Sequence, residues 1–369
     1  MEPARFPGAF GEPSYSMELQ HGAPRRPARR WHARFARTPE LALSTHGRTF
    51  RTPFAIAAAL LFVTAVQAKG GDEGKPIQLV AQQPPGSLSE TISRIWAECA
   101  SNELGQSIVV INKPGANGVI AANYLKSHPA DGRTIMTVGM SQMTITPYVY
   151  RVAPYDPEKD FDGVAVLTSN ALFLVASIQS RIKQLPDVTR VARAPGGVKY
   201  GSPGKGSPSH LLTAALIHSL KSEGTHVPYV GEAAGVYALL RGDIDLMTLT
   251  SGTVQPLLRT GRVTPLAVYA EARDKAFPEV PTIVELTGSA TLARVGWLAL
   301  VVKAGTSPSV IKRLREATAR CVALDQKYRE HLSNVLVTPV DSASADVTLW
   351  RNRDSAFFRP LITQLGLVE

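Results

Sequence analysis

The chain has 369 residues, 44% apolar and 19% charged, with a formal net charge of +10; this is ordinary globular composition, long enough for two domains with cores of their own, and unlike a disordered or fibrous chain. Half of the charge excess lies in residues 1–68, which hold nine Arg, no Lys and four Glu, so the rest carries 31 basic and 26 acidic residues. That mild surplus suits anionic metabolites, and the lack of dense Lys/Arg blocks or basic and aromatic interleaving argues against nucleic acid as a partner.

Residues 54–68 (FAIAAALLFVTAVQA) form an apolar run behind Arg48 and Arg51, with Val66 and Ala68 at the −3 and −1 positions of a signal peptidase site. The run is shorter than the ~20 residues a bilayer span needs, which points to an export signal cleaved near Ala68 and a periplasmic protein, not to an anchor. Residues 1–46 are rich in Arg and Pro without a period. They read as a start codon assigned too far upstream, with a twin-arginine signal around Arg29-Arg30 as the weaker alternative.

From Pro76 onward strands and helices alternate. Residues 77–81 read as a strand, and a helix runs from Ser87 to about Leu104, with Ile92, Ile95, Trp96, Cys99 and Ala100 on one face. Ser87 and Glu90 have the spacing of a capping box, and Gly105 stops the helix. A strand at 108–111, a turn at 114–118, a helix at 119–126, a strand at 134–138 and a segment bearing Ser141 follow. A second series begins near 185: helix 186–194, strand 198–202, helix 208–220, strand 225–227, helix 232–240, strand 244–249, helix 253–260 and strand 265–269. Two apolar runs, 163–177 and 292–303, flank this series and read as crossings between two lobes; the mostly helical remainder packs back on the first. The expected division is a leader at 1–68, lobe 1 at 69–177 and 293–369, and lobe 2 at 178–292. Short alternating β and α elements imply an α/β fold in which each lobe is a mainly parallel sheet flanked by helices, with ligands beyond the carboxyl ends of the strands.

Two strand-to-helix turns stand out, Gln82 to Glu90 and Tyr200 to His210. Helix starts expose N–H groups without intrahelical partners, at the positive end of the helix dipole, so two such turns facing across a cleft would hold a carboxylate with no cationic side chain. Candidate ligand residues are Gly86, Ser87, Ser89 and Glu90 on the first turn and Ser202, Gly204, Gly206, Ser207 and His210 on the second, together with Gly231, and polar residues around Ser141, Tyr229 and Ser251 would choose the rest of the molecule. His210, three residues after Ser207, is expected either to orient the loop by donating to a backbone carbonyl or to touch the ligand, the former favoured. Lys205, at the turn tip, reads as a solvated lysine.

The ordered motifs Pro84-Pro85-Gly86, Asn112-Lys113-Pro114-Gly115-Ala116, Asp131-Gly132-Arg133-Thr134, Tyr155-Asp156-Pro157, the 202–210 turn, Val227-Pro228-Tyr229-Val230-Gly231, Gly242-Asp243-Ile244-Asp245 and Phe277-Pro278-Glu279-Val280-Pro281-Thr282 resemble the Bug family, the TctC-like extracytoplasmic receptors of tripartite tricarboxylate transporters. Each is weak alone and specific in combination. The resemblance implies a two-lobed type II periplasmic-binding-protein fold, a small carboxylate (organic, amino or aromatic acid) in the cleft between the lobes, often with bridging waters, and a monomer that docks transiently on ion-driven membrane subunits. This chain departs from the pattern where Ser87 replaces a second Gly, Glu90 stands for an Asp, Ile111 stands for an acidic residue and Glu232 replaces a Gly.

No CxxC, HExxH or clustered His/Cys spacing is present, so neither a metal nor a cofactor is expected. Cys99 and Cys321 are open to two readings, a disulfide in an oxidising compartment or two buried thiols. The Gly-rich turn fits neither a P-loop nor a dinucleotide fingerprint, and there is no Gly-x-Ser-x-Gly elbow. The chain is therefore read as no enzyme, with a ligand-sensing partner of a two-component system as the alternative role and an exported hydrolase as a distant one.

Overall fold

The computed structural model describes residues 75–342 and 344–368; the expected leader, with its apolar run and cleavage site, lies outside them. In chain order the first lobe opens with β1 (Ile77–Ala81), α1 (Leu88–Leu104), β2 (Ile108–Asn112), α2 (Val119–Lys126), β3 (Thr134–Gly139), α3 (Met140–Thr144) and α4 (Thr146–Val149). The crossing follows as β4 (Phe161–Asn170) and β5 (Leu172–Ser177). The second lobe holds α5 (Leu185–Ala192), β6 (Val198–Ser202), α6 (Pro208–Ser219), β7 (Gly224–Pro228), α7 (Glu232–Arg241), β8 (Leu246–Thr250), α8 (Ser251–Arg259), β9 (Val263–Val268) and α9 (Ile283–Thr287). The return is β10 (Gly296–Lys303), closed by α10 (Pro308–Leu324), α11 (Gln326–Asn334), β11 (Thr338–Pro339) and α12 (Val347–Gln364).

Helix boundaries follow local chemistry. At the start of α1 the Ser87 hydroxyl accepts from the Glu90 N–H at 3.4 Å, and Gly105 ends the helix in the left-handed region at φ 62°. Ser207 and Thr282 cap α6 and α9 in the same way.

The strands form two sheets with one logic. The first runs β11-β4-β10-β3-β1-β2 and the second β7-β6-β8-β5-β9. Pairing directions place four strands of each sheet in one sense. The antiparallel strands β10 and β5, inserted next to β3 and β8, both belong to crossings, because a chain returning from the other lobe enters the sheet from the opposite end. Mainly parallel sheets were expected from the βα alternation; the crossings supply the antiparallel pairs. Leu172–Ser177 pairs with β8 and β9 in the second sheet, so by strand pairing the outbound crossing lies at Ala171 and not at 177, a correction to the expected boundary. Its apolar run is buried on both faces in either sheet, so hydrophobicity alone does not show where the partner strand changes.

One apolar core runs from the first lobe across the crossings into the second, and a smaller one around Phe173, Met247, Leu249 and Phe277 fills the far face of the second sheet. Fully buried side chains such as Trp96, Phe173 and Phe358 each contribute about 2–3 kcal/mol by leaving water. A disulfide joins Cys99 on α1 to Cys321 on α10, which selects between the two readings of the cysteines and ties the chain's return segment to its first helix. Helix α12 packs on α3 and α4 and also reaches α6 of the second lobe. Among the described residues no helix is long and apolar enough to cross a membrane.

Candidate functional site

A cleft of about 570 Å³ opens where the carboxyl ends of the strands of both sheets meet. Its lining comes from the ends of β1, β3, β4, β6, β7 and β8 and the start of β10, the region where an open α/β sheet presents backbone and loop donors to a ligand. The lining mixes an apolar majority of its surface, with Met140, Leu172 and Trp297 among the contributors, with polar groups, and Lys205 and Glu232 are its charged members.

In the first lobe the wall is a side-chain network. Asn117, at φ 49°, donates through Nδ2 to the Thr146 hydroxyl at 2.8 Å and to Ser141 at 3.3 Å. Gln142 accepts from the Gly139 N–H at 3.2 Å and donates to the Asn117 carbonyl and side-chain oxygens at 3.3 and 3.2 Å. Gly118 makes this possible: at φ 90°, a Cβ there would lie 2.6 Å from Gln142 Cγ and 2.7 Å from Gln82 Oε1. The Pro114 to Gly118 turn thus sets an internally hydrogen-bonded polar face against the cleft, leaving the Ser141 hydroxyl, which accepts from Asn117, a hydrogen to donate.

In the second lobe the 203–207 loop is locked from beneath. The Ser202 hydroxyl donates to the Gly204 carbonyl at 2.8 Å and receives the Gly204 N–H at 3.2 Å. The same oxygen lies 2.8 Å from His226 Nε2, which must then be the donor. His210 is buried; its Nδ1 accepts the Gly206 N–H at 3.1 Å, and its ring stacks on His226 with centroids 3.6 Å apart. Burial, then the neighbouring His226 and Lys205 charges, push His210 down to about 3, and burial pushes His226 down to about 4. Both imidazoles are therefore neutral at physiological pH, as the Gly206 N–H bond to His210 Nδ1 requires of that ring. At the start of α6, Pro208 has no N–H and that of His210 goes to the Ser207 hydroxyl at 3.2 Å. The Ser209 N–H, in the same first turn and with Ser209 on the lining, has no acceptor within the helix.

Of the residues expected from the sequence, Ser141, Gly204, Ser207 and Gly231 line the cleft. Gly86, Ser87, Ser89 and Glu90 do not. Glu90 folds back: it accepts the Gly86 N–H at 3.1 Å, pairs with Arg94 and is 3% exposed. The extra methylene relative to Asp lets the carboxylate close on its own loop, and the Ser87 cap takes the Glu90 N–H, so the Gly86 and Glu90 N–H groups are both taken within the first turn. Gln83, just before it, is the residue of that turn on the cleft wall. Ser202, Gly206 and His210 hold the second loop from below instead of lining the cleft. His210 accepts from an N–H where donation to a carbonyl was expected. Tyr229 packs its ring where side chains at Gly201 or Gly235 would sit and gives its N–H to the Ser202 carbonyl at 3.0 Å, so it too is off the lining.

Sequence reasoning missed Gln83, Asn117, Gln142, Asn170, Thr250 and Trp297, passed over Lys205, and noticed Glu232 only as a departure. Their shared signal is position at strand ends, which becomes informative once the sheet order is known. Trp297 is fixed from behind: its indole N–H donates to Asp354 on α12 at 2.7 Å, and that fully buried carboxylate is paired with Arg294 at 3.3 Å and Arg353 at 2.9 Å.

Comparison with known proteins agrees with this architecture. A protein of R. palustris solved with adipate superposes with a TM-score of 0.69 at 26% identity, covering 80% of this chain and 99% of its own. MatC from Rhodopseudomonas palustris, solved with malate, superposes with a TM-score of 0.66 at 25% identity, over 78% of this chain and 98% of that one. A curated relative, the UPF0065 protein in the gbd 5' region of Cupriavidus necator, is 30% identical over 323 residues, 86% of this chain and 97% of the relative. Residues 92–367 match the family described as Tripartite tricarboxylate transporter family receptor, and a TctC solute binding protein from Polaromonas superposes with a TM-score of 0.66 at 27% identity, over 78% of this chain and 98% of that one. With most of its length inside that match and the two-lobed fold of those structures, the chain belongs to the tripartite tricarboxylate transporter receptor family.

Proposed function

We propose that this chain is a periplasmic receptor that captures a small carboxylate between its lobes and delivers it to the membrane subunits of a tripartite tricarboxylate-type transporter. The observation that carries the reading is the interlobe cleft itself. On one side stands the start of α6, with the Ser207 hydroxyl and the Ser209 N–H; on the other stands the Ser141 hydroxyl, positioned by the Asn117–Gln142 network. Hydrogen bonds from such donors to an ionised carboxylate are about twice as strong as neutral ones, so a few suffice to replace its hydration.

The adipate and malate complexes of the two R. palustris proteins support a carboxylate as the solute class. The Cys99–Cys321 disulfide supports an oxidising compartment, in keeping with the apolar run ending at Ala68. The protein acts as a monomer, and its lobes close on the solute about β4, β5 and β10. The test is isothermal calorimetry and thermal shift of the exported, processed protein against mono- and dicarboxylates, with native mass spectrometry of the freshly purified protein to reveal a retained solute. A protein that no carboxylate stabilises refutes the reading, and an N-terminus other than one near Lys69 refutes the cleavage site.

A further inference from the structure

The two corners of the second-lobe wall differ in charge and in what their donors are doing. At the α6 corner the lining offers the Ser207 hydroxyl and the Ser209 N–H. At the other corner the protein has filled the seat with a carboxylate of its own. Glu232, the first residue of α7, accepts three hydrogen bonds: Oε1 from the Thr250 N–H at 2.7 Å, and Oε2 from the hydroxyls of Thr250 at 2.9 Å and Thr253 at 2.7 Å. Thr250 is the N-cap of α8, so these are the donors that a solute anion would otherwise meet at that helix start. Thr250 and Glu232 both line the cleft.

An ionised carboxylate has about four acceptor positions, so with three filled Glu232 retains room for one more donor and none for an acceptor. We propose that Glu232 sets the selectivity of the cleft: the solute carries one carboxylate, lodged toward the α6 corner, and ends at the α7–α8 corner in a hydrogen-bond donor, a hydroxyl or an ammonium group. A second carboxylate on the solute would face Glu232 across the cleft and is rejected. This rests on the carboxylate-receptor reading above and narrows it from carboxylates in general to ω-hydroxy and ω-amino monocarboxylates.

The test uses the processed protein and two matched sets of probes at neutral pH: succinate, 4-hydroxybutyrate and 4-aminobutyrate, then adipate, 6-hydroxyhexanoate and 6-aminohexanoate, with affinities from calorimetry. In at least one set the hydroxy or amino acid should bind about ten-fold or more tightly than the diacid, the low end for a like-charge pair a few ångströms apart, close to the limit set by the dielectric of water. Glu232→Gln, which keeps an acceptor for the Thr250 N–H, should remove most of that preference by tightening the diacid. A diacid that binds wild type as well as or better than its partners overturns the role of Glu232 while leaving the receptor reading intact, as does a preference unchanged in folded E232Q. Should E232Q fail to fold, the wild-type ranking decides alone. If none of the six probes binds or raises the melting temperature, this inference falls, and the receptor reading is decided by the wider carboxylate screen above.

Discussion

Lowering the pH from 8 to 5 should destabilise the protein through His210 and His226, the stacked imidazoles beneath the 203–207 loop. Both are held neutral, with values pushed from the usual 6.5 down to about 3 and about 4, first of all by burial. The unfolded chain binds a proton on each as the pH falls through 6.5, while the folded chain does not. Their contribution to stability is thus complete above that value and erodes as acid approaches the folded values. At pH 5 the buried His210 alone has lost about 2 kcal/mol, and the half-buried His226 adds somewhat less, for a total of about 3 kcal/mol. Within the folded chain His210 stays neutral over this range and keeps the Gly206 N–H, so solute affinity should hold while stability falls. Urea unfolding at pH 8, 6.5 and 5 measures the slope. His210→Asn, whose side-chain oxygen keeps an acceptor for Gly206, should show about a third of it. A stability flat to within about 1 kcal/mol over this range, or an equal slope in H210N, refutes the reasoning.

Replacing Cys99 and Cys321 with Ser should cost about 3–5 kcal/mol in denaturant unfolding, because the bridge closes a loop spanning 222 residues of sequence; no difference between oxidised and reduced protein would refute this. Asp354→Asn breaks a buried ionic cluster and should cost about 3 kcal/mol while shifting the fluorescence of Trp297, whose indole it holds; an unchanged spectrum and melt would count against that linkage. Glu90→Ala should lower stability by about 1 kcal/mol through the start of α1 yet leave solute affinity within about two-fold by calorimetry, and a ten-fold affinity loss would return the first turn to the binding site. Gly118→Ala should weaken binding and stability together, since its Cβ enters the contacts of Gln142 and Gln82; wild-type affinity would show that the Asn117 wall is not used.

Local chemistry was enough to read much of the architecture. The βα alternation, the caps at Ser87 and Ser207, the stop at Gly105 and the apolar crossings are set by interactions within a few residues, and a period or a cap is visible in one dimension. Membership of the family follows from ordered motifs of the same kind. The cleft is another matter. Whether a donor faces a solute depends on which neighbour has already taken it, and those neighbours come from elsewhere in the chain: His226 beneath Ser202, Thr250 beside Glu232, Thr146 beside Asn117. Even within one turn, the choice of Glu90 between cleft and its own loop was decided by packing that leaves it 3% exposed. The sequence by itself determined the elements, their order and the kind of protein. Only the tertiary structure decided which hydroxyls and amides remain available at the cleft, because hydrogen-bond satisfaction is a property of three-dimensional neighbours.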